Sequence, residues 1–239
     1  MSCGAFCGRF VRSDTRRALH HPQIVAAPSS SSIESEVNIL SVGSPKWRNV
    51  GRFPFHIMWQ QSQVLVNGKL HWITYTTRNN AAKPIMSFDL GTEQFKEVPR
   101  PDSVGPDRHI HELVVLRGCL SAVSFNINNK EVEIWVMGEY DVKESWVKEF
   151  SIGAYVPKPL QPNDQRETLN SSMFYLPKKH MRVLCMLSDG RILLESNNKS
   201  LVLYDPHCRT FNDLQVTFEG IPRYFRALVH VSSLNWIDT

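Results

Sequence analysis

Three segments of the chain repeat the same order of short apolar runs and turn residues, and this repetition restricts the fold more than any other feature. The first segment, residues 63–98, contains VLVNGKLHWITY, in which Asn67-Gly68 separates two apolar runs. Asn-Gly favours a two-residue turn with positive φ at both positions, because Asn tolerates that region and Gly has no Cβ. The pattern predicts a β-hairpin, and residues 111–152 and 181–214 repeat it.

The three segments correspond at several further positions. Each has a Gly-x-Leu/Ile triplet after its first apolar run: Gly68-Lys69-Leu70, Gly118-Cys119-Leu120 and Gly190-Arg191-Ile192. Each has one aromatic residue late in the third run and another early in the fourth: Phe88, Trp135 and Tyr204, then Phe95, Trp146 and Phe211. Asp89 and Asp205 follow the third-run aromatic, and we expect each side chain to accept hydrogen bonds from backbone N–H groups two residues further on. Trp72 and Trp135 lie within apolar runs, so we expect them in a core between sheets.

Each segment predicts one four-stranded antiparallel sheet. Residues 36–50 look like the last two strands of another unit, and residues 225–237 look like a first strand and part of a second. One such sheet is marginally stable alone, so neighbouring sheets must cover each other's faces. We therefore predict an all-β fold, a β-propeller-like array of four-stranded antiparallel sheets that is incomplete unless the two half units join. A β-sandwich with coincidental similarities is the alternative.

Residues 1–35 differ in composition from the rest of the chain. They contain four Arg and no Lys, and Ser occupies positions 29–32. This composition resembles a transit peptide. A disordered tail or an altered gene start is the alternative that we favour. We therefore predict a disordered or atypical N-terminal tail over residues 1–35 and a β-propeller-like domain over residues 36–239.

Charge and cysteine content restrict the partner and the compartment. The net charge is +4 and the basic residues are spread along the chain, which does not indicate a nucleic-acid partner. No apolar run approaches the ~18–20 residues that a membrane helix needs, so we predict no membrane partner. The five cysteines, an odd number, and the lack of an apolar signal segment favour a reducing, intracellular compartment, either cytoplasmic or nuclear.

The sequence contains no persuasive catalytic motif. It has no G-x-S-x-G, no P-loop and no G-x-G-x-x-G. His109 and His111 have the spacing that places two side chains on one face of a strand, but a metal site would need a third ligand that the sequence does not identify. We interpret them as ordinary histidines of a loop or strand edge, and we predict no catalytic residue, no metal site and no cofactor.

Partner-binding residues are predicted on one side of the array. The turns between strands 1 and 2 and between strands 3 and 4 share one side, while the 2–3 turns and the links between units share the other. The second side carries the longer loops, where the binding residues of a rigid scaffold usually lie. Its candidate partner-binding residues are Arg78, Arg108, His109, Lys178, Lys179, Arg223 and Tyr224, and Trp59 is a further aromatic candidate outside the repeats. Charges that only keep these loops soluble are the alternative.

Several motifs, taken in order, resemble a known family. They are VNGKLHWI, IMSFDLGTEQFKEVPRP, LRGCLSAV, VEIWVMGEYDVKESWVKEFSI, DGRILLES and LVLYDP. Together they resemble the F-box-associated domain of plant F-box proteins, which include the F-box/kelch-repeat and S-locus F-box proteins. The resemblance covers about residues 36–237, and IWVMGEYDVKESW is its most specific part.

The resemblance implies a non-catalytic protein-interaction module. Such a module is the substrate-recognition region of an SCF-type E3 ubiquitin ligase receptor and would bind a target protein through its inter-blade loops. Residues 1–35 match no F-box, the helical module that docks on a Skp-type adaptor, so we expect that adaptor as a partner only if an F-box is supplied elsewhere. One alternative is a truncated decoy without ligase docking. Another is a carbohydrate-binding or hydrolytic propeller, which would need paired carboxylates or a metal near the central channel.

Overall fold

In a computed structural model of the chain, the described residues are 23–28, 35–40, 45–57, 63–75, 84–101, 108–126, 128–153, 155, 181–196, 200–214 and 225–229. They form β-strands joined by turns, with one 3₁₀ turn at Lys143–Ser145. Within these ranges, no helix has the length and apolar character needed to cross a membrane.

The strands form four antiparallel sheets, which we number I to IV in chain order. Sheet I contains β1 (Gln23–Pro28), β2 (Ser35–Leu40) and β3 (Arg48–Phe53). Sheet II contains β4 (His56–Ile57), β5 (Val64–Val66), β6 (Lys69–Tyr75), β7 (Ile85–Asp89) and β8 (Phe95–Val98). Sheet III contains β9 (Arg108–Leu116), β10 (Cys119–Asn126), β11 (Glu131–Met137) and β12 (Trp146–Ile152). Sheet IV contains β13 (Met181–Met186), β14 (Ile192–Ser196), β15 (Ser200–Asp205) and β16 (Thr210–Leu214).

Sheets II, III and IV correspond to the three repeated segments of the sequence. Their strands pair in chain order, which confirms the predicted four-stranded antiparallel units. In sheet II the first strand is in two pieces, because β4 and β5 both pair with β6. Strand β1 of sheet I lies inside the segment predicted as a tail and pairs along its length with β2. Residues 23–28 therefore belong to a sheet, and the boundary at residue 35 otherwise stays a prediction.

The turns have the local chemistry that the sequence predicts. Asn67 and Gly68 have φ angles of 50° and 70°, as a tight hairpin between β5 and β6 requires. Asp89 Oδ1 accepts hydrogen bonds from the N–H groups of Gly91 at 2.8 Å and Thr92 at 3.1 Å. Asp205 Oδ1 holds its own turn in the same way, with N–H donors two and three residues further along. These contacts confirm the predicted role of both aspartates.

Three buried clusters fill the spaces between successive sheets. The cluster between sheets I and II includes Val37, Ile39, Phe55, Leu70, Trp72 and Phe88. The cluster between sheets II and III includes Val66, Ile73, Ile85, Leu113, Leu120, Trp135 and Trp146. The cluster between sheets III and IV includes Leu116, Val123, Ile134, Ile152, Val183, Leu194 and Tyr204.

This stacking explains the apolar character of the strands and decides the fold class. Sheets II and III are covered on both faces, so their strands read as nearly continuous apolar runs. Trp72 is 2% exposed and Trp135 8%, which confirms their predicted place in the inter-sheet core. Four stacked sheets, rather than two facing ones, confirm the all-β, propeller-like array and exclude the β-sandwich.

Two local predictions were wrong. Arg108 was placed in a loop, and His109 in a loop or at a strand edge. Both residues begin β9, an edge strand of sheet III, and pair with Asn126 and Phe125, because β10 is long enough to extend the ladder to them. An irregularity in the β9 register falls at His111, between Ile110 and Glu112. The side chain of His109 lies outside the described residues, so the shared strand face of His109 and His111 stays a prediction. Residues 225–229, predicted to open a first strand, form no strand in the part of the chain that is described.

Candidate functional site

The predicted binding side is only partly described. Arg108 and His109 lie at the start of β9, at the end of sheet III that faces this side. The other candidates lie outside the described residues: Trp59, Arg78, Lys178, Lys179, Arg223 and Tyr224. The proposal that these side chains form one surface therefore stays a prediction.

The described residues form a cavity beside the first strands of sheets II, III and IV. Strands β5, β9 and β13, the first strands of sheets II, III and IV, contact one another through β9. Together with residues 227–229 they line a cavity of about 380 Å³, which we call the axial cavity. Its walls are mainly apolar and include Leu65, Val115 and Leu184. A cavity of this size is within the range that small ligands or a few peptide side chains occupy.

A group of buried charges lies against the axial cavity. Arg182 of β13 donates a hydrogen bond from Nε to Glu112 Oε1 at 3.1 Å and another from Nη1 to Glu195 Oε2 at 3.0 Å. All three residues are at least nine-tenths buried. Glu112 also accepts the N–H of Val183 at 3.2 Å. The Arg182 cluster, formed by Arg182, Glu112 and Glu195, thus joins β9, β13 and β14.

The charges of the Arg182 cluster oppose the cost of burial. Burial raises the pKa of Glu112, while the positive charge of Arg182 and the hydrogen bonds to Val183 and Arg182 act in the opposite direction. Arg226 also lies close enough for its charge to favour the ionised form of Glu112. Arg226 itself has its pKa lowered, first by burial and next by the neighbouring Arg182. Two carboxylates and two guanidinium groups therefore share one region of the structure.

The side with the 1–2 and 3–4 turns carries a set of ion pairs. They are Arg48–Glu93, Lys69–Asp89, Lys96–Asp141, Arg117–Glu149 and Arg191–Asp189. Arg48–Glu93 joins sheets I and II, and Lys96–Asp141 joins sheets II and III. Arg117 and Glu149 also line a second, polar cavity of about 660 Å³ between sheets III and IV. Cations and carboxylates on this side thus largely neutralise each other.

Reasoning from the sequence missed the Arg182 cluster. A weak signal was present, because Glu112, Arg182 and Glu195 are charged residues within or beside apolar runs, where an unpaired charge is rarely found. No group of three or more His, Cys, Asp or Glu side chains that could hold a metal ion occurs among the described residues. Cys119, Cys185 and Cys208 are free thiols.

Sheets that stack face to face, with their first strands around a shared cavity, define the chain as a β-propeller domain. The matching family model is described as an F-box associated beta propeller domain and covers residues 12–235. The chain belongs to this family.

The curated relatives are Arabidopsis thaliana proteins. F-box protein At3g07870 is 43% identical over 216 residues, which are 86% of this chain and 50% of that protein. F-box protein CPR1 is 28% identical over 83% of this chain and 47% of its own length. F-box/kelch-repeat protein At3g23880 is 32% identical over 50% of this chain and 33% of its own. The chain therefore spans half or less of the length of these relatives.

Among solved structures, a chain from a study of two prolyl endopeptidases aligns over 81% of this chain and 26% of its own. The identity is 11% and the TM-score is 0.38.

Proposed function

We propose that the chain is the target-recognition region of an F-box-type receptor of an SCF ubiquitin ligase, and that it acts by binding a protein rather than by catalysis. The observation that carries the proposal is the family match over residues 12–235, on a scaffold of stacked sheets. Relatives with matching regions are named F-box proteins. Docking on a Skp-type adaptor would come from an F-box module, so the adaptor joins this chain only where such a module is present.

The Arg182 cluster bears on the hydrolytic alternative. A hydrolytic propeller would need carboxylates near the channel that reach a substrate, and Glu112 and Glu195 are the carboxylates nearest to that description. Both are buried and both accept hydrogen bonds from Arg182. Acid–base work requires a carboxyl group within hydrogen-bond reach of the reacting atoms. Because Glu112 and Glu195 are both bonded to Arg182, a structural or positioning role is favoured for these two carboxylates.

The distribution of charge supports binding on the side with the longer loops. Ion pairs occupy the opposite side. The predicted candidates on the loop side include Arg78, Arg108 and Arg223, and arginine is enriched at the centres of protein interfaces. We propose an acidic or mixed protein surface as the partner and an intracellular, reducing compartment as its location.

Affinity purification from plant tissue tests the proposal. The tagged chain is expected to enrich one or more proteins reproducibly, and the variant with Arg78→Glu, Arg108→Glu and Arg223→Glu is expected to lose them. A matched control reverses three basic residues of the short-turn side, Lys46→Glu, Arg191→Glu and Arg209→Glu, and is expected to keep them. Mass spectrometry of each eluate, with a probe for the Skp-type adaptor, gives the readout. The proposal is wrong if no protein is enriched over a tag-only control. Binding on the side with the longer loops is wrong if the variant with Arg78→Glu, Arg108→Glu and Arg223→Glu folds and keeps every partner.

A further inference from the structure

Residues 225–229 lie along the axial cavity and are held there through the backbone N–H and C=O groups of Ala227. Ala227, Leu228 and Val229 line the cavity. The N–H of Ala227 donates to Glu195 Oε2 at 2.6 Å, and the carbonyl oxygen of Ala227 accepts from Arg182 Nη1 at 3.4 Å. The Arg182–Glu195 pair therefore contacts both the donor and the acceptor of one residue. These groups are common to every residue except proline, which lacks the N–H.

The pair is held in position by contacts that do not involve residues 225–229. Arg182 is bonded to Glu112 through Nε and to Glu195 through Nη1. Glu112 is in turn bonded to the N–H of Val183 in β13. Because these side chains are buried and already ordered, they lose little conformational entropy when they bind the backbone N–H and C=O groups of a peptide residue.

The surroundings of the pair define the sequence that fits beside it. Glu112 and Glu195 both accept hydrogen bonds from the guanidinium group of Arg182. Arg226 lies near both carboxyl groups. A ligand with a basic residue directly before the clamped residue would place a positive charge at the position of Arg226. The apolar walls of the cavity favour small or apolar residues at the clamped position and after it.

We propose that the axial cavity and the Arg182–Glu195 pair form a binding site for an extended peptide segment of the target protein, with a basic residue followed by small and apolar residues. In the isolated chain, residues 225–229 take the place of that segment at the Arg182–Glu195 pair and border the cavity. The proposal rests on the proposed function, since the ligand is a segment of the recognised target. Among the described residues, Ala227 is held by side-chain contacts to Arg182 and Glu195, and residues 225–229 form no strand. Such a segment opens locally at a lower free-energy cost than a paired strand, which allows a competing peptide to enter.

A peptide with the sequence of residues 225–229, FRALV, tests the site on the full chain. Ala227→Pro in the chain removes the N–H that Glu195 binds and weakens the resident segment. The labelled peptide should bind this variant at least about tenfold more tightly than it binds the wild-type chain, in which a tethered competitor has a high effective concentration. Fluorescence anisotropy gives the two affinities. Equal affinities would overturn the proposal.

Two matched peptides test the chemistry of recognition. The peptide carrying Ala227→Pro should bind the Ala227→Pro chain about tenfold or more weakly than FRALV, since it lacks one charge-assisted hydrogen bond. The peptide carrying Arg226→Gln should also bind more weakly, because it lacks the positive charge that lies near Glu112 and Glu195. If both bind as well as FRALV does, the Arg182–Glu195 pair does not read the peptide and the proposal is wrong.

Hydrogen exchange on the wild-type chain provides a test that needs no variant. The amide of Ala227 should exchange at least about tenfold faster than that of Leu194, which is fully buried in β14. Equal protection would show that residues 225–229 do not open and would overturn the proposal. Retained capture of target proteins without peptide binding would refute this site alone. Peptide binding without any captured target would refute the proposed function instead.

Discussion

Acidification should destabilise the domain through one buried histidine between sheets II and III. His71 Nε2 lies 2.8 Å from Tyr140 Oη, and His71 Nδ1 lies 3.3 Å from the carbonyl oxygen of Val64. Because a carbonyl oxygen can only accept, Nδ1 carries the hydrogen and Nε2 accepts from the hydroxyl of Tyr140. Protonation of Nε2 would remove this acceptor and place a charge in a buried interface. Burial, opposed by backbone contacts to Val64 and Lys69, lowers the pKa of His71 from 6.5 to about 4.

The size of the effect follows from these two pKa values. A histidine whose pKa is lower in the folded state binds fewer protons there, so its contribution to stability is complete above the unfolded pKa of 6.5 and is lost as the pH falls toward 4. At about 1.4 kcal/mol per pKa unit, the domain should lose about 2 kcal/mol between about pH 7.5 and about pH 5. Glu112 acts in the opposite direction, because its pKa is raised in the folded state.

Urea unfolding at both pH values, followed by tryptophan fluorescence, measures this loss. His71→Gln removes the titrating group and leaves Glu112 and the other ionisable residues unchanged. Subtracting the pH dependence of this variant from that of the wild-type chain should leave about 2 kcal/mol. Tyr140→Phe serves as a control that keeps the histidine, and it should lose about 1 kcal/mol at about pH 7.5 through the missing hydrogen bond while remaining sensitive to pH. The same pH dependence in the wild-type chain and in His71→Gln would refute the reasoning.

Three further substitutions address the Arg182 cluster, the first hairpin and the core. Arg182→Met should lower the free energy of unfolding by about 3–5 kcal/mol in urea titrations, because two buried carboxylates lose their partner; a loss below about 1 kcal/mol would contradict this. Gly68→Ala should cost about 1 kcal/mol because φ is +70° at this position. An added Cβ meets nothing within 4 Å at either Gly68 or Gly153, and Gly153 does not have a positive φ, so Gly153→Ala should cost much less in the same titration. Trp72→Ala should lower the free energy of unfolding by about 3–5 kcal/mol, and calorimetry should show a large fall in Tm; an unchanged Tm would contradict this.

Features that depend on a few consecutive residues could be predicted from the sequence. The Asn67-Gly68 turn and the loops closed by Asp89 and Asp205 depend on donors and acceptors two or three residues apart. The four-stranded units could be predicted for a related reason, since each strand pairs with the next one in the chain. Three repeats of one pattern also indicated stacking, because each sheet must bury both of its faces.

Positions that depend on other parts of the chain were predicted poorly. Arg108 and His109 look like loop residues beside a Pro- and Gly-containing segment, yet the length of β10 brings them into a strand. Residues 225–229 have the apolar pattern of a strand, yet Ala227 is held by side chains of sheet IV. In both cases the residues that the segment contacts, rather than its own sequence pattern, determine the backbone conformation.

The amino-acid order alone was sufficient for the hairpins, the four-stranded units and the family, because turn residues and the pairing of each strand with the next one in the chain are local properties. It was not sufficient for the Arg182 cluster or the axial cavity. Glu112 and Arg182 are 70 residues apart, and they meet because β9 and β13 are first strands of adjacent sheets. Such a contact exists only once the sheets have stacked, and the attraction and hydrogen bonds between the buried groups then offset the cost of removing their charges from water.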